Sequence, residues 1–399
     1  MPVLYNDLGE KQKMRKKWLT GILTGILLLN STMMTEASPY VNRYLGGSYE
    51  VLAVDGTKAA TSDLLTGQTE IQNIKDMKGI DAIVNDADNI YTYPEYVEDL
   101  LLLEEKYAQY LKIKSLTKTI DGREVWQITL GDVNAKNHIL VDGAIHGREY
   151  HNSLLIMEQL EFFLENYDKA SYNGKSYGEL LSNTCIHFVP MVNPDGVSIS
   201  QFGEAGIQSP EVLNLVRGSY PNYLYQGLTR AEYGRYLQRW KANARGVDLN
   251  RNFGAGFGGG EEYSIVPGSM YYCGVAPFSE PESMALATIV QTYNPIMVIN
   301  YHSSGNIFYW NIYGNPSAGF NSFFADHISN ITGYRKQGTF APNGGFLEWI
   351  ELRGNQIWAL TLETGIGECP LPPQSYPQIW EQNYLMIPIL LNYYKAMST

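Results

Sequence analysis

Cysteine is scarce, with only Cys185, Cys273 and Cys369 among 399 residues. That rules out a disulfide framework, and the odd number leaves at least one thiol unpaired within the chain. Cys185 sits in an apolar, strand-like run and reads as a buried free thiol, whereas Cys273 and Cys369 lie in loop-like sequence and either pair or stay free. Basic residues are outnumbered, 29 Lys and Arg against 41 Asp and Glu, for a net charge of −12 and a pI of about 5.0. Such a balance argues against a protein that tracks a nucleic-acid backbone. No apolar run reaches the roughly 20 residues needed to span a bilayer, and there is no internal repeat or low-complexity tract. Present in quantity are hydrophobic residues at 44% and aromatics at 13%. These suffice for a sizeable core, in two domains or in one large α/β domain.

The first 37 residues read as an address. Lys11, Lys13, Arg15, Lys16 and Lys17 precede an apolar stretch from Trp18 to Leu29, and small residues follow near Ala37. This is the layout of a secretory signal peptide, with Met14 as an alternative start. Residues 38 to 90 are polar and aperiodic, and are expected to form a linker or short prosegment. A helix is expected from about Tyr91 to Leu111, then a hairpin of two strands, 113 to 119 and 124 to 130, around Asp121-Gly122-Arg123. A buried strand follows from His138 to Val141, a helix from about Asn152 to Tyr167, and a further buried strand from Cys185 to Pro190. Residues 198 to 240 look like an insertion over one face. A helix over 281 to 293 leads to a strand ending at His302, a last strand ends at Glu363, and a helix over 377 to 394 closes the chain. Strands alternating with helices predict an α/β fold with ligands at the carboxyl ends of the strands.

The chemistry-bearing residues sit at those ends. His146 and Glu149 fall just beyond the 138–141 strand, in or beside the first turn of a helix, and a spacing of three puts both on one side of such a turn. An imidazole and a carboxylate so placed can hold two positions of a zinc tetrahedron if a third ligand comes from elsewhere. Asn193-Pro194-Asp195-Gly196, Asp248-Leu249-Asn250-Arg251-Asn252, His302-Ser303 and Glu363 follow in order.

This ordered set resembles the zinc carboxypeptidase (carboxypeptidase A-like) family over about residues 91 to 395. The resemblance implies a catalytic domain, 91–399, with a mixed, twisted eight-stranded sheet sandwiched between helices and a zinc site at the strands' carboxyl ends. Bacterial γ-D-glutamyl-meso-diaminopimelate peptidases look most similar, because of the 242–253 block and the insertion before it. On this reading His146, Glu149 and His302 hold one zinc ion, and Asp248 orients a ligand histidine. Glu363 takes a proton from a water that the metal acidifies and hands it to the leaving amine. Arg148 faces the substrate carbonyl as it gains charge. Asn250 and Arg251 grip a free carboxylate, a task suited to a bidentate guanidinium. Lys241 occupies the place of a second positive group, with Arg239 or Arg245 as alternatives. His138, His151, His187 and His327 are expected to be ordinary surface or core histidines.

The sequence departs from the family at one place, where Phe340 stands in the position of a mobile tyrosine and Tyr334 is a candidate substitute. Leu347 falls at the specificity-pocket position and suggests an apolar side chain, while Glu348 or Glu351 can instead meet an amino group. The expected function is an exported zinc peptidase cutting cell-wall stem peptides at the γ-D-glutamyl-diaminopimelate bond. The alternatives are a general carboxypeptidase releasing apolar C-terminal residues, or a catalytically silent peptide- or glycan-binding relative.

Overall fold

Short apolar runs bounded by turn residues become the strands of an eight-stranded sheet. The computed structural model describes residues 82–84, 90–224, 232–260, 262–312, 318–339, 342–353 and 357–397. The expected signal peptide, most of the expected linker and Phe340 lie outside these residues.

Helix α1 (Tyr93–Lys106) starts at Thr92, whose hydroxyl caps Glu95 N–H while the Glu95 carboxylate returns to Thr92 N–H. Such a reciprocal cap contributes about 1 kcal/mol. The helix stops five residues before Leu111, where β1 (Leu111–Lys118) begins, so the sequence reading overran the end. β1 pairs antiparallel with β2 (Glu124–Leu130). Next come β3 (Asn137–Gly143), α2 (His151–Glu165), a small hairpin of β4 (Ser171–Tyr172) and β5 (Lys175–Ser176), α3 (Tyr177–Leu181) and β6 (Thr184–Val189). α4 (Pro194–Phe202) leads into the 198–240 stretch, which supplies α5 (Pro210–Leu224) and α6 (Tyr233–Gln238). It closes a core of its own, in which Val212, Val216, Tyr236 and Leu237 pack with Trp240. The chain continues with α7 (Pro281–Tyr293), β7 (Met297–His302), β8 (Ile307–Ile312), α8 (Ala318–Thr332), β9 (Arg335–Thr339), α9 (Phe346–Leu352), β10 (Trp358–Glu363), α10 (Tyr376–Asn383) and α11 (Met386–Met397).

The sheet order is β1-β2-β6-β3-β7-β10-β8-β9. β6, β3, β7 and β10 run parallel in the middle, with antiparallel joins at β2–β6 and β10–β8. This is the mixed sheet that the sequence led us to expect. Its central strands are near-continuous apolar runs because both faces are covered. Leu140, Val298 and Ala359 join Leu286, Ile289 and Ile350 of α7 and α9 in one core. By the period of two, Ile139, Val141, Ile299 and Leu360 point the other way, and all are buried. Fourteen of the fifteen residues of α2 are buried, so this helix lies in the interior rather than on its rim. Among the described residues no helix is long and apolar enough to cross a membrane.

Candidate active site

Three side chains converge beyond the carboxyl ends of β3 and β7. His302 is the last residue of β7. His146 and Glu149 lie in the turn between β3 and α2, which opens only at His151, so they precede the helix rather than occupy its first turn. The turn is closed by Glu149 N–H donating to the His146 carbonyl at 3.1 Å. His146 Nδ1 lies 2.9 Å from Glu149 Oε1, and His302 Nδ1 lies 3.0 Å from His146 Nδ1 and 3.1 Å from Glu149 Oε2.

The charges fit this convergence. Burial favours the protonated Glu149 carboxyl, but the His146 charge and hydrogen bonds from both histidines hold it well below the usual range. Burial lowers His146, against the pull of Glu149. Burial also disfavours the charged form of His302, yet its bond to Glu149 leaves it raised.

A dense clasp fixes the turn. Gly147 N–H donates to Lys241 O at 3.1 Å, and a Cβ on Gly147 would meet the Gly196 carbonyl carbon at 2.3 Å, so only glycine lets these backbones touch. Asn193 Nδ2 donates to Ile145 O at 3.2 Å and Ala242 O at 3.0 Å. Asp195 turns away from the site and accepts from Thr119, Asp121 and Arg123. The Asn-Pro-Asp-Gly block is thus a brace for the ligand turn, tied to the β1–β2 hairpin. A second brace runs from Glu149 Oε2, which accepts from Ser303 N–H at 3.2 Å. Ser303 Oγ lies 2.9 Å from Thr364 Oγ1, and Thr364 donates to Asn152 Oδ1 at 2.8 Å.

Asp248 Oδ1 accepts from His146 Nε2 at 3.2 Å. Its other oxygen takes Tyr271 N–H at 3.1 Å and lies 3.5 Å from Lys241 Nζ. With its proton held on Nε2 by Asp248, the tautomer that metal binding would require, His146 turns the Nδ1 lone pair to the point faced by His302 Nδ1 and the Glu149 carboxylate. Two imidazoles and a carboxylate presented this way fit zinc and could supply the three protein ligands typical of a catalytic rather than a structural site.

A cavity of about 660 Å³ opens beside this cluster, lined by Lys241, Asn250, Arg251, Leu347, Glu348 and Glu363 among others. Glu363 ends β10, and burial, with Glu149 adding and His302 opposing, pushes it up to about 7. Arg251 Nη1 donates to Asn250 O at 2.9 Å, and Nη2 lies 3.5 Å from Glu262. Asn250 spends its amide oxygen on Phe346 N–H at 2.9 Å, leaving its amide nitrogen for the cavity. Leu347 and the buried Glu348, raised by desolvation, share the wall. Arg148 does not line the cavity, but its charge reaches Glu363 and Tyr271.

Several sequence expectations resolve. Of the three candidate cations only Lys241 lines the cavity, since Arg245 reaches Glu280 and Arg239 reaches Glu368. Tyr334 does not replace a mobile tyrosine, being fully buried with its hydroxyl accepting from Asn383 Nδ2. Cys273 and Cys369 do not pair, and both are buried free thiols. Glu262, Tyr309, Gln337 and Thr361 also line the cavity, and sequence reasoning missed them. Thr361 stands two residues before Glu363 on one strand, so strand periodicity alone places it on the same face.

The zinc carboxypeptidase family model matches residues 96–385. A γ-D-glutamyl-L-diamino acid endopeptidase of Lysinibacillus sphaericus is 26% identical over 305 residues, 75% of this chain and 72% of its own. The uncharacterized protein YqgT of Bacillus subtilis is 26% identical over 278 residues, 68% and 69% of the two chains. Among solved structures, thrombin-activatable fibrinolysis inhibitor superposes with a TM-score of 0.59 at 18% identity, covering 83% of this chain and 80% of its own. A carboxypeptidase A from Helicoverpa armigera gives 0.55 at 17%, covering 83% and 78%. These two show the same fold.

Proposed function

This chain belongs to the zinc carboxypeptidase family, and from that premise we propose that it is an exported peptidase that cuts the γ-D-glutamyl-diaminopimelate bond of cell-wall stem peptides. A zinc-dependent hydrolase is what the family gives; the bond is our reading. One observation carries it: the cavity beside the metal donors mixes a guanidinium, Arg251, with two acidic groups, Glu348 and Glu262. Diaminopimelate carries both carboxylate and ammonium groups, and such a wall meets both. An endopeptidase named for a γ-D-glutamyl-diamino acid bond among the relatives agrees with it. Export rests on the basic and apolar segment within residues 1 to 37.

His146, Glu149 and His302 would hold one zinc ion. Bound there, zinc supplies Lewis acidity, lowering a water's pKa towards ~7 and drawing charge from a carbonyl oxygen. Glu363, at the end of β10 on the cavity wall, takes the proton of the attacking water and returns it to the leaving nitrogen. Arg148 supplies positive charge to the carbonyl oxygen. Asn250 and Arg251 bind the free carboxylate of the departing residue. Lys241 holds Asp248 and adds a second positive charge to the cavity.

Leu347 favours a second reading, release of apolar C-terminal residues. The test is turnover of the zinc-loaded protein on L-Ala-γ-D-Glu-meso-diaminopimelate and, in parallel, on a blocked dipeptide ending in Phe or Leu. Cleavage of the first is expected. Cleavage of the second alone overturns the cell-wall reading and makes Leu347 the pocket floor.

A further inference from the structure

A second cluster of metal-binding side chains lies at the far end of β3 from the catalytic turn. His138 is the second residue of β3, and Cys185 is its partner across the parallel β3–β6 ladder. His187 lies two residues further along β6, hence on the same face as Cys185. His138 Nδ1 and His187 Nε2 stand 3.0 Å apart, and Cys185 Sγ is 3.8 Å from His187 Nε2. The three donor atoms all lie within 4.8 Å of one another.

We propose that His138, Cys185 and His187 form a separate, non-catalytic site for a thiophilic transition metal such as zinc. Bond lengths of about 2.0–2.1 Å to nitrogen and 2.3 Å to sulfur set tetrahedral edges of about 3.4 Å between nitrogens and about 3.6 Å between nitrogen and sulfur. The His138–His187 and Cys185–His187 separations depart from these by a few tenths of an ångström, and His138 and Cys185, within 4.8 Å of each other, close on a metal by side-chain rotation. The donor set, two imidazoles and one thiol, is softer than that of the catalytic site.

The surroundings suit ligand histidines. Burial pushes His187 down to about 3, and His138 is lowered for the same reason, so both rings are neutral and carry lone pairs. Gln127 lies 2.7 Å from His187 Nδ1, and its outer amide atom has no partner. Turned so that its oxygen faces the ring, this amide fixes the proton on Nδ1 and frees Nε2 for a metal. Tyr293 stacks on His187 at 4.0 Å and closes the cluster from the side. Burial lifts the Cys185 thiol to about 12 in the absence of a cation, and binding then releases the thiol proton to solvent as the metal–sulfur bond forms. His138 is only partly buried and provides the entry. The metal would staple two central strands, acting on stability rather than on turnover.

The two sites differ in one decisive way, because no thiol belongs to the catalytic donor set. Cobalt(II)-loaded protein should show a thiolate-to-cobalt charge-transfer band in the near ultraviolet, lost in Cys185→Ser and weakened in His138→Gln, but kept in Cys369→Ser and in His302→Ala. Zinc-loaded protein should hold two equivalents after dialysis and His138→Gln one, with kcat of that variant unchanged. Because His138 reaches the surface, its substitution keeps the test open if Cys185→Ser fails to fold. Absence of the band in the wild-type protein, or equal zinc in wild type and His138→Gln, overturns the proposal.

Discussion

Glu363 and His302 are register partners at the carboxyl ends of β10 and β7. Two parallel strands therefore deliver a carboxylate and an imidazole at the same height, and the backbone is shared with the sheet core rather than with a mobile loop. Thr364 N–H donates to His302 O at 2.8 Å and locks the pair one residue beyond the ladder. Rigid delivery of this kind suits a proton-transfer group that must stay within reach of the reacting atoms.

Replacing Glu363 with glutamine should leave that scaffold intact while removing the proton acceptor. We expect kcat to fall roughly 10²- to 10⁴-fold, with bound zinc at the wild-type level. Metal analysis and kinetics on the same preparation decide it. Near-normal turnover would remove Glu363 from proton transfer.

Asp248 reaches His146 from the side away from the cavity and also anchors Lys241 and the Tyr271 backbone. Asp248→Asn can no longer accept with a full charge, and zinc affinity should weaken about 10- to 100-fold. Competition with a chelator measures it. If affinity holds while kcat falls, the role of Asp248 lies with Lys241 and not with the ligand.

Among the described residues Arg251 is the only arginine lining the cavity. Arg251→Ala should raise KM about 10- to 100-fold for substrates ending in a free carboxylate, the span of a lost charge-assisted hydrogen bond. Amidated counterparts should change little. An equal rise for both would mean that Arg251 acts by packing against Asn250 and Glu262 rather than by binding the carboxylate.

How far the sequence could be read follows from the range of the interactions involved. His302 and Glu363 were legible because each closes an apolar run, and a buried strand that stops at a charged residue marks its own end. His146 and Glu149 were legible through their spacing. Their support was not, because Asn193 meets the turn across 48 residues and Asp248 across 102, and such pairings depend on how strands and loops stack. The meeting of His138 with Cys185 and His187 depends on the β3–β6 register, which no local pattern fixes. Tyr334 shows the converse error, a residue chosen for its hydroxyl that the core has already engaged.

A final expectation concerns pH and the helix beneath the Asp248 loop. Glu282 of α7 is fully buried, with Oε1 lacking a partner and Oε2 accepting from Asn243 Nδ2 at 3.3 Å. Burial, with Asp195 and Glu280 adding repulsion, pushes it from an ordinary 4.5 to about 8. The folded protein thus holds a proton between those values that the unfolded chain has released, so stability falls as pH rises through the window and levels off above about 8. The cost at alkaline pH is at most about 5 kcal/mol. Glu282→Gln removes the titration. Its Tm should lie near the wild-type value at pH 5 and increasingly above it towards pH 8.5. Melting curves of both proteins across that range, with zinc saturating, supply the check. Parallel curves would mean that Glu282 is already ionised in the folded state, with its charge met by a partner other than Asn243.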